Sequence, residues 1–171
     1  MAYDSQYSTT GEVADVLGAA LAAHGPQVDV RHVRTAPDPS GYDAVVAGAP
    51  VHANAWKSGA AAWLHEHRQT LATIPHALFL TSMSFALDPD RPGQQREKTD
   101  LLQQTASREG LRPVAVAPFA GAVDLDVMGG AAGMVYMGVS RTMTTGDYRD
   151  WGAIAAWGLE LAPLLRLPDA P

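Results

Sequence analysis

The spacing of apolar residues changes period several times along the chain, and each change marks an element. Val13, Val16, Leu17, Ala20 and Leu21 recur at helical spacing until Gly25-Pro26 interrupts them. Val28, Val30 and Val33 then stand among Asp29, Arg31 and His32 as in a half-exposed strand, and the segment from Pro37 to Gly41 reads as a loop. Tyr42 to Gly48 is a further strand. Its run Ala44-Val45-Val46-Ala47 is continuously apolar, the pattern of a central parallel strand covered on both faces. Lys57 to Leu71 predicts a second helix, with Ala61, Leu64, Arg68 and Leu71 on one face beside Ala60 and Trp63. Ala77-Leu78-Phe79-Leu80 is another buried strand and ends in Thr81-Ser82. A loop from Asp88 to Gly93 leads into a polar helix over Gln94 to Glu109, which Gly110 closes. Val114 to Ala117 is the last strand. A final helix runs from about Asp150 to Leu165, with Asp150 as its N-cap and Trp151, Ile154, Gly158, Leu161 and Leu165 as its buried stripe.

Strand and helix alternate throughout, which predicts an α/β fold: a parallel sheet with helices on both faces and right-handed crossovers. The length of 171 residues and a hydrophobic share of 47% fit one domain spanning residues 1–171. In such sheets ligands bind beyond the carboxyl ends of the strands. Three loops fall there: the segment starting at Ser5, Pro50 to Trp56, and Thr81 to Leu87.

The first loop carries the strongest chemical signal. Ser5, Tyr7, Ser8, Thr9 and Thr10 place five hydroxyls in six positions just before the first helix. Thr9 and Glu12 fit a capping box, which sets helix onset near Thr10. A helix start with free amides and the positive end of the dipole favours an anion, and hydroxyls suit a phosphate monoester. Ordinary helix capping explains the same residues equally well.

Charge and composition narrow the function. The net charge is -6 with 12 Lys and Arg spread thinly, against the clustered basic face that nucleic acid requires. With zero cysteines there is no disulfide, thiol nucleophile or thiolate metal site, in keeping with a cytoplasmic protein. No basic and apolar leader opens the chain, and no apolar run reaches the roughly 18 residues of a membrane span. His65 and His67 flank Glu66 two positions apart on a helix, so they point apart and read as a solvated face rather than a metal site. Asp4 and Asp43 do not form the paired acids of a phosphoacceptor site.

The hydroxyl loop Tyr3 to Ala14 (YDSQYSTTGEVA), Tyr42 to Trp56 (YDAVVAGAPVHANAW), Ala77 to Ser84, Phe119-Ala120-Gly121, and Gly146-Asp147-Tyr148-Arg149-Asp150-Trp151 leading into Ile154 and Trp157 together resemble the flavodoxin-like FMN-binding fold. Within it the chain is most similar to menaquinone-dependent protoporphyrinogen oxidases. The resemblance implies a three-layer doubly wound sheet of strand order 2-1-3-4-5 and non-covalent FMN. It also implies oxidation of a tetrapyrrole precursor with electrons passed to a quinone. Residue by residue, it assigns Ser5, Tyr7, Ser8, Thr9 and Thr10 to the FMN phosphate. Pro50, Val51, His52 and Ala53 fall on one side of the flavin ring and Ser82, Met83, Ser84 and Phe85 on the other, with Trp56 and Phe85 as aromatic contacts. His52 is the titratable side chain of the ring loops, suited to tuning the flavin or shuttling a proton, or simply to a backbone hydrogen bond.

Two departures from the family pattern stand out. Ser8 occupies a position usually held by Gly, where a turn close to phosphate often needs positive φ. Only Met1 to Asp4 precede Ser5, so the first strand is expected to be truncated, as it would be with a start placed one strand too late. The segment Val127 to Val139 is apolar and Gly-rich, and four of the six Met residues lie between Met128 and Met143. It fits either a peripheral contact with membrane, quinone or porphyrinogen, or a buried helix. The acidic balance also suits an electron carrier docking on redox proteins, and loss of the first strand would suit a cofactor-free interaction domain.

Overall fold

The computed structural model describes residues 1–36, 38–88, 90–124 and 145–165. In chain order the elements are β1 (Ala2–Tyr3), α1 (Thr9–Ala22), β2 (Arg31–His32), β3 (Val45–His52), β4 (Ala55–Trp56), α2 (Ser58–Glu66) and α3 (Arg68–Leu71). There follow β5 (His76–Ser82), α4 (Ser84–Leu87), α5 (Gln94–Arg108), β6 (Ala115–Ala120), β7 (Ala122–Val123), β8 (Gly146–Asp147) and α6 (Trp151–Leu164). The parallel strands lie in the order β2-β1-β3-β5-β6, which is 2-1-3-4-5 when only they are counted, as expected.

Period-two alternation within the two buried central strands divides the core. Val45, Ala47 and Ala49 of β3, with Leu78 and Leu80 of β5, pack toward Trp63, Leu64 and Leu102 of α2 and α5. Val46, Ala77 and Phe79 pack on the other face against Val13, Leu17 and Leu21 of α1 and Ile154 and Leu161 of α6. Gly48 and Phe79 are register partners, and a Cβ on Gly48 would overlap the Phe79 ring, so the sheet accepts that ring only over a glycine.

The first strand has two residues in the ladder, yet it is central, with Ala2 paired to Arg31 on one side and to Ala47 on the other. The ladder is continued at Asp4, whose N–H donates to the Gly48 carbonyl at 2.9 Å where the following loop begins.

Several boundaries differ from the sequence reading. The strand placed at Tyr42 to Gly48 instead spans Val45–His52, because Pro50 to His52 continues into an antiparallel hairpin with β4. Ala53 and Asn54 form its two-residue turn with φ of 48° and 58°, the left-handed pair that matches strand twist. The second helix is two pieces divided at His67 (φ -99°, ψ 10°). Val28 and Val30 pack with α1 while Val33 packs on the opposite layer, since an odd offset reverses the face. Trp151, expected in the buried stripe of the last helix, is exposed, whereas Ile154, Gly158, Leu161 and Leu165 are buried. The segment Val127 to Val139, with its expected membrane contact, lies outside the described residues. No helix among the described residues is long and apolar enough to cross a membrane.

Candidate functional site

The carboxyl ends of β1, β3, β5 and β6 open into one cleft of about 570 Å³. Its first wall is the hydroxyl loop, represented by Ser5, Gln6, Tyr7, Thr9 and Thr10. Pro50, Val51 and His52 at the end of β3 form a second wall, and Thr81, Ser82 and Met83 at the end of β5 form a third. Gly121, Ala122 and Val123 close the side.

The helix start differs from the expected capping box. Ser8, not Thr9, is the N-cap; its φ is 65° and its side chain makes no capping hydrogen bond. The first helical bond runs from Glu12 N–H to the Ser8 carbonyl at 3.1 Å. Glu12 does not reach back to the cap, because its carboxylate is drawn 2.7 Å to Arg149. The first-turn amides of α1 therefore lack side-chain caps, and Thr9 and Thr10 of that turn line the cleft. The expectation of positive φ at Ser8 holds, and the residue meets it without being glycine.

Below the loop, Asp4 is 3% exposed and accepts a hydrogen bond from Lys57 Nζ at 2.6 Å. His32 Nε2 lies 3.4 Å from the same carboxylate oxygen and 3.3 Å from the Ser5 carbonyl. Arg34 N–H donates to His32 Nδ1 at 3.2 Å and Ser5 N–H donates to Nε2 at 3.4 Å, so backbone groups on both sides hold the ring beside Asp4. The other Asp4 oxygen lies against Gly59, where a Cβ would overlap it. This cluster ties the bases of three loops together.

Thr10 Oγ1 and Thr81 Oγ1 are 2.9 Å apart and buried, joining the phosphate-type loop to the end of β5. Ser82 Oγ and Ser84 Oγ are 2.8 Å apart, and Gln94 Nε2 donates to the Ser84 carbonyl at 2.8 Å, which fixes the turn into α4. His52 is exposed at the cleft edge. Burial and the Lys57 charge hold its pKa below the ordinary histidine value, with Asp4 opposing them.

Nine of the residues singled out from sequence meet in the cleft: Ser5, Tyr7, Thr9, Thr10, Pro50, Val51, His52, Ser82 and Met83. Ser8, exposed and left-handed at the helix start, lies outside the lining. Ala53 sits in the hairpin turn, and Ser84 and Phe85 lie in α4, outside the lining. Trp56 needs correction as a ring contact. It points into the core, 4% exposed, and its Nε1 donates to the Phe79 carbonyl at 3.1 Å, because its place in β4 turns it to the buried face. Thr81, at the start of the third strand-end loop, and Gln6 of the hydroxyl loop line the cleft as well, whereas Ala122 and Val123 carry no local signal in the sequence.

One more side chain reaches the loop. Arg149 lies 140 positions beyond Thr9 and donates through Nη1 to the Thr9 carbonyl at 2.9 Å and to Glu12 at 2.7 Å. Nε and Nη2 hold both oxygens of Asp147, each at 2.7 Å. Trp151 stacks on the guanidinium with 4.2 Å between Cζ and the ring centroid. With 140 positions between them, the contact of Arg149 with Thr9 is visible only in three dimensions.

Comparison with known families decides the setting of this cleft. The Flavodoxin domain family matches residues 1–148. The chain belongs to the flavodoxin-domain family. Solved structures agree on the fold of this flavodoxin-domain protein. A flavodoxin from the domain Archaea matches at 13% identity and TM-score 0.59, over 96% of each chain. Rubredoxin oxygen:oxidoreductase of Desulfovibrio gigas matches at 17% identity and TM-score 0.61, over 96% of this chain and 35% of that one. The present chain thus spans about a third of that relative's length. Megasphaera elsdenii flavodoxin in its two-electron reduced state matches at 17% identity and TM-score 0.54, over 68% of this chain and 82% of that one. No curated protein matches the chain.

The residues present fit FMN. Uncapped first-turn amides and the hydroxyls of Ser5, Thr9 and Thr10 suit a phosphate, and the apolar Pro50-Val51 and Met83 surfaces suit the flanks of a planar ring.

Proposed function

We propose that this flavodoxin-domain protein binds FMN in the cleft and serves as a redox protein. The observation that carries this reading is the convergence of an uncapped helix start, a left-handed Ser8 and a hydroxyl-lined loop with two further strand-end walls. Bound FMN supplies two-electron redox chemistry, while the chain binds, orients and shields it. Ser5, Thr9 and Thr10 hold the phosphate with the α1 amides, and Thr81 fixes Thr10 by its hydroxyl bond. Pro50 to His52 and Ser82-Met83 flank the ring. Neutral His52, at the cleft edge, can accept or return a proton near the ring.

The finer reading is a tetrapyrrole precursor as electron donor and a quinone as acceptor, each turnover removing two electrons from the donor and reducing quinone to quinol. It is supported by sequence resemblance alone, above all by Gly146 to Trp151. An electron carrier between redox proteins is the competing use of the same site.

Titration of the purified protein with FMN tests the first claim. Quenching of flavin fluorescence, with FMN bound more tightly than riboflavin, is expected, and Trp56→Phe should leave that binding unchanged because Trp56 is in the core. A protein that quenches neither flavin sinks the reading. For a protein that binds FMN, turnover of protoporphyrinogen with menaquinone separates the enzyme from a carrier, which a reductase would reduce without such turnover.

A further inference from the structure

We infer that Arg149 is a positioning residue for the phosphate end of the site, holding the loop and lending it positive charge through the Thr9–Thr10 peptide. The inference rests on the FMN reading above. Arg149 has 6% side-chain exposure and does not line the cleft, so it acts at one remove. Its Nη1 donates to the Thr9 carbonyl. The Thr10 N–H belongs to the same peptide unit, points the opposite way and, in the first turn of α1, has no intrahelical acceptor. A cation on the carbonyl side orients that peptide and polarises its N–H toward an anion on the far side.

The charge is held in check. Asp147 and Glu12 both pair with the guanidinium, so the local balance of these three groups is one negative charge. Burial opposes the Arg149 charge, but the hydrogen bonds to Asp147 and Glu12 outweigh it and hold its pKa above the ordinary value. Glu12 is the more exposed of the two carboxylates and lies in the first turn of α1, where its own charge repels an incoming phosphate. Arg149 also leads from β8 into α6, so one side chain joins the phosphate loop to the β7–β8 wall of the cleft and to the helix behind it.

The test compares FMN with riboflavin, which lacks only the phosphate, by fluorescence titration of three proteins. Wild type should prefer FMN. Arg149→Met should weaken FMN by about tenfold or more while riboflavin changes by less than about twofold, and Arg149→Lys, which keeps charge but not the fork, should recover only part of the loss. Glu12→Gln should do the reverse and tighten FMN by about threefold with riboflavin unchanged. A purely structural strut predicts no such gain. Equal losses of both flavins in Arg149→Met, or weaker FMN binding in Glu12→Gln, overturn the inference. Should Arg149→Met not fold, Glu12→Gln still decides. Wild type that binds no FMN overturns the flavin reading and this inference with it. Wild type that prefers FMN beside an Arg149→Met variant that binds it equally overturns this inference alone.

Discussion

Lys57 Nζ lies 2.6 Å from Asp4 Oδ1, a nearly buried ion pair joining the end of the first strand to the start of the second helix beneath the cleft. Both partners come from loop bases, so the pair fixes how the hydroxyl loop stands against the end of β3. Its stabilising value lies less in the attraction than in what breaking it leaves behind, because a lone buried carboxylate has lost its water.

Lys57→Met should therefore destabilise the protein by about 3 kcal/mol, and Asp4→Asn combined with it should recover much of that loss. Urea unfolding of the two single variants and the double variant measures this. Additive losses would show that the two side chains are not coupled.

The same lysine sets a pH dependence. His52 has its pKa held below the ordinary value of 6.5, first by burial and then by the Lys57 charge. On acidification the unfolded chain takes up this proton first, so stability is undisturbed above about pH 6.5 and falls as pH drops through the folded value. NMR titration of the His52 ring should give a midpoint below the ordinary histidine value, and Lys57→Met should move it upward. A His52 midpoint that ignores the substitution removes Lys57 as a cause.

Ser8 holds φ at 65° to start α1, a conformation that glycine adopts without strain. Ser8→Gly should stabilise the fold by up to about 1 kcal/mol and leave FMN affinity equal or higher, because the Ser8 side chain makes no capping bond. Thermal unfolding with and without FMN reads both effects. A clear loss of FMN affinity would assign the Ser8 hydroxyl a direct part in phosphate binding.

Sequence alone determined the layered α/β order, because fully buried parallel strands leave continuous apolar runs such as Ala44 to Ala47 and helices leave a 3.6-residue stripe. It also identified most of the cleft, since Ser5 to Thr10 and the two later strand ends carry a local chemical signature. Tertiary structure decided what depends on facing direction and distance. Trp56 belongs to the core because the hairpin turn at Ala53-Asn54 reverses the chain and sends that side chain inward, and no spacing rule encodes such a turn with Ala in it. Glu12 left its expected capping role because Arg149 arrives from 137 positions away with a stronger, charged hydrogen bond. Asp4, Lys57 and His32 were separate polar residues in the sequence and became one buried cluster only when β1, β2 and the start of α2 came side by side. Local periodicity is written residue by residue, whereas the pairing of charges waits for the chain to fold.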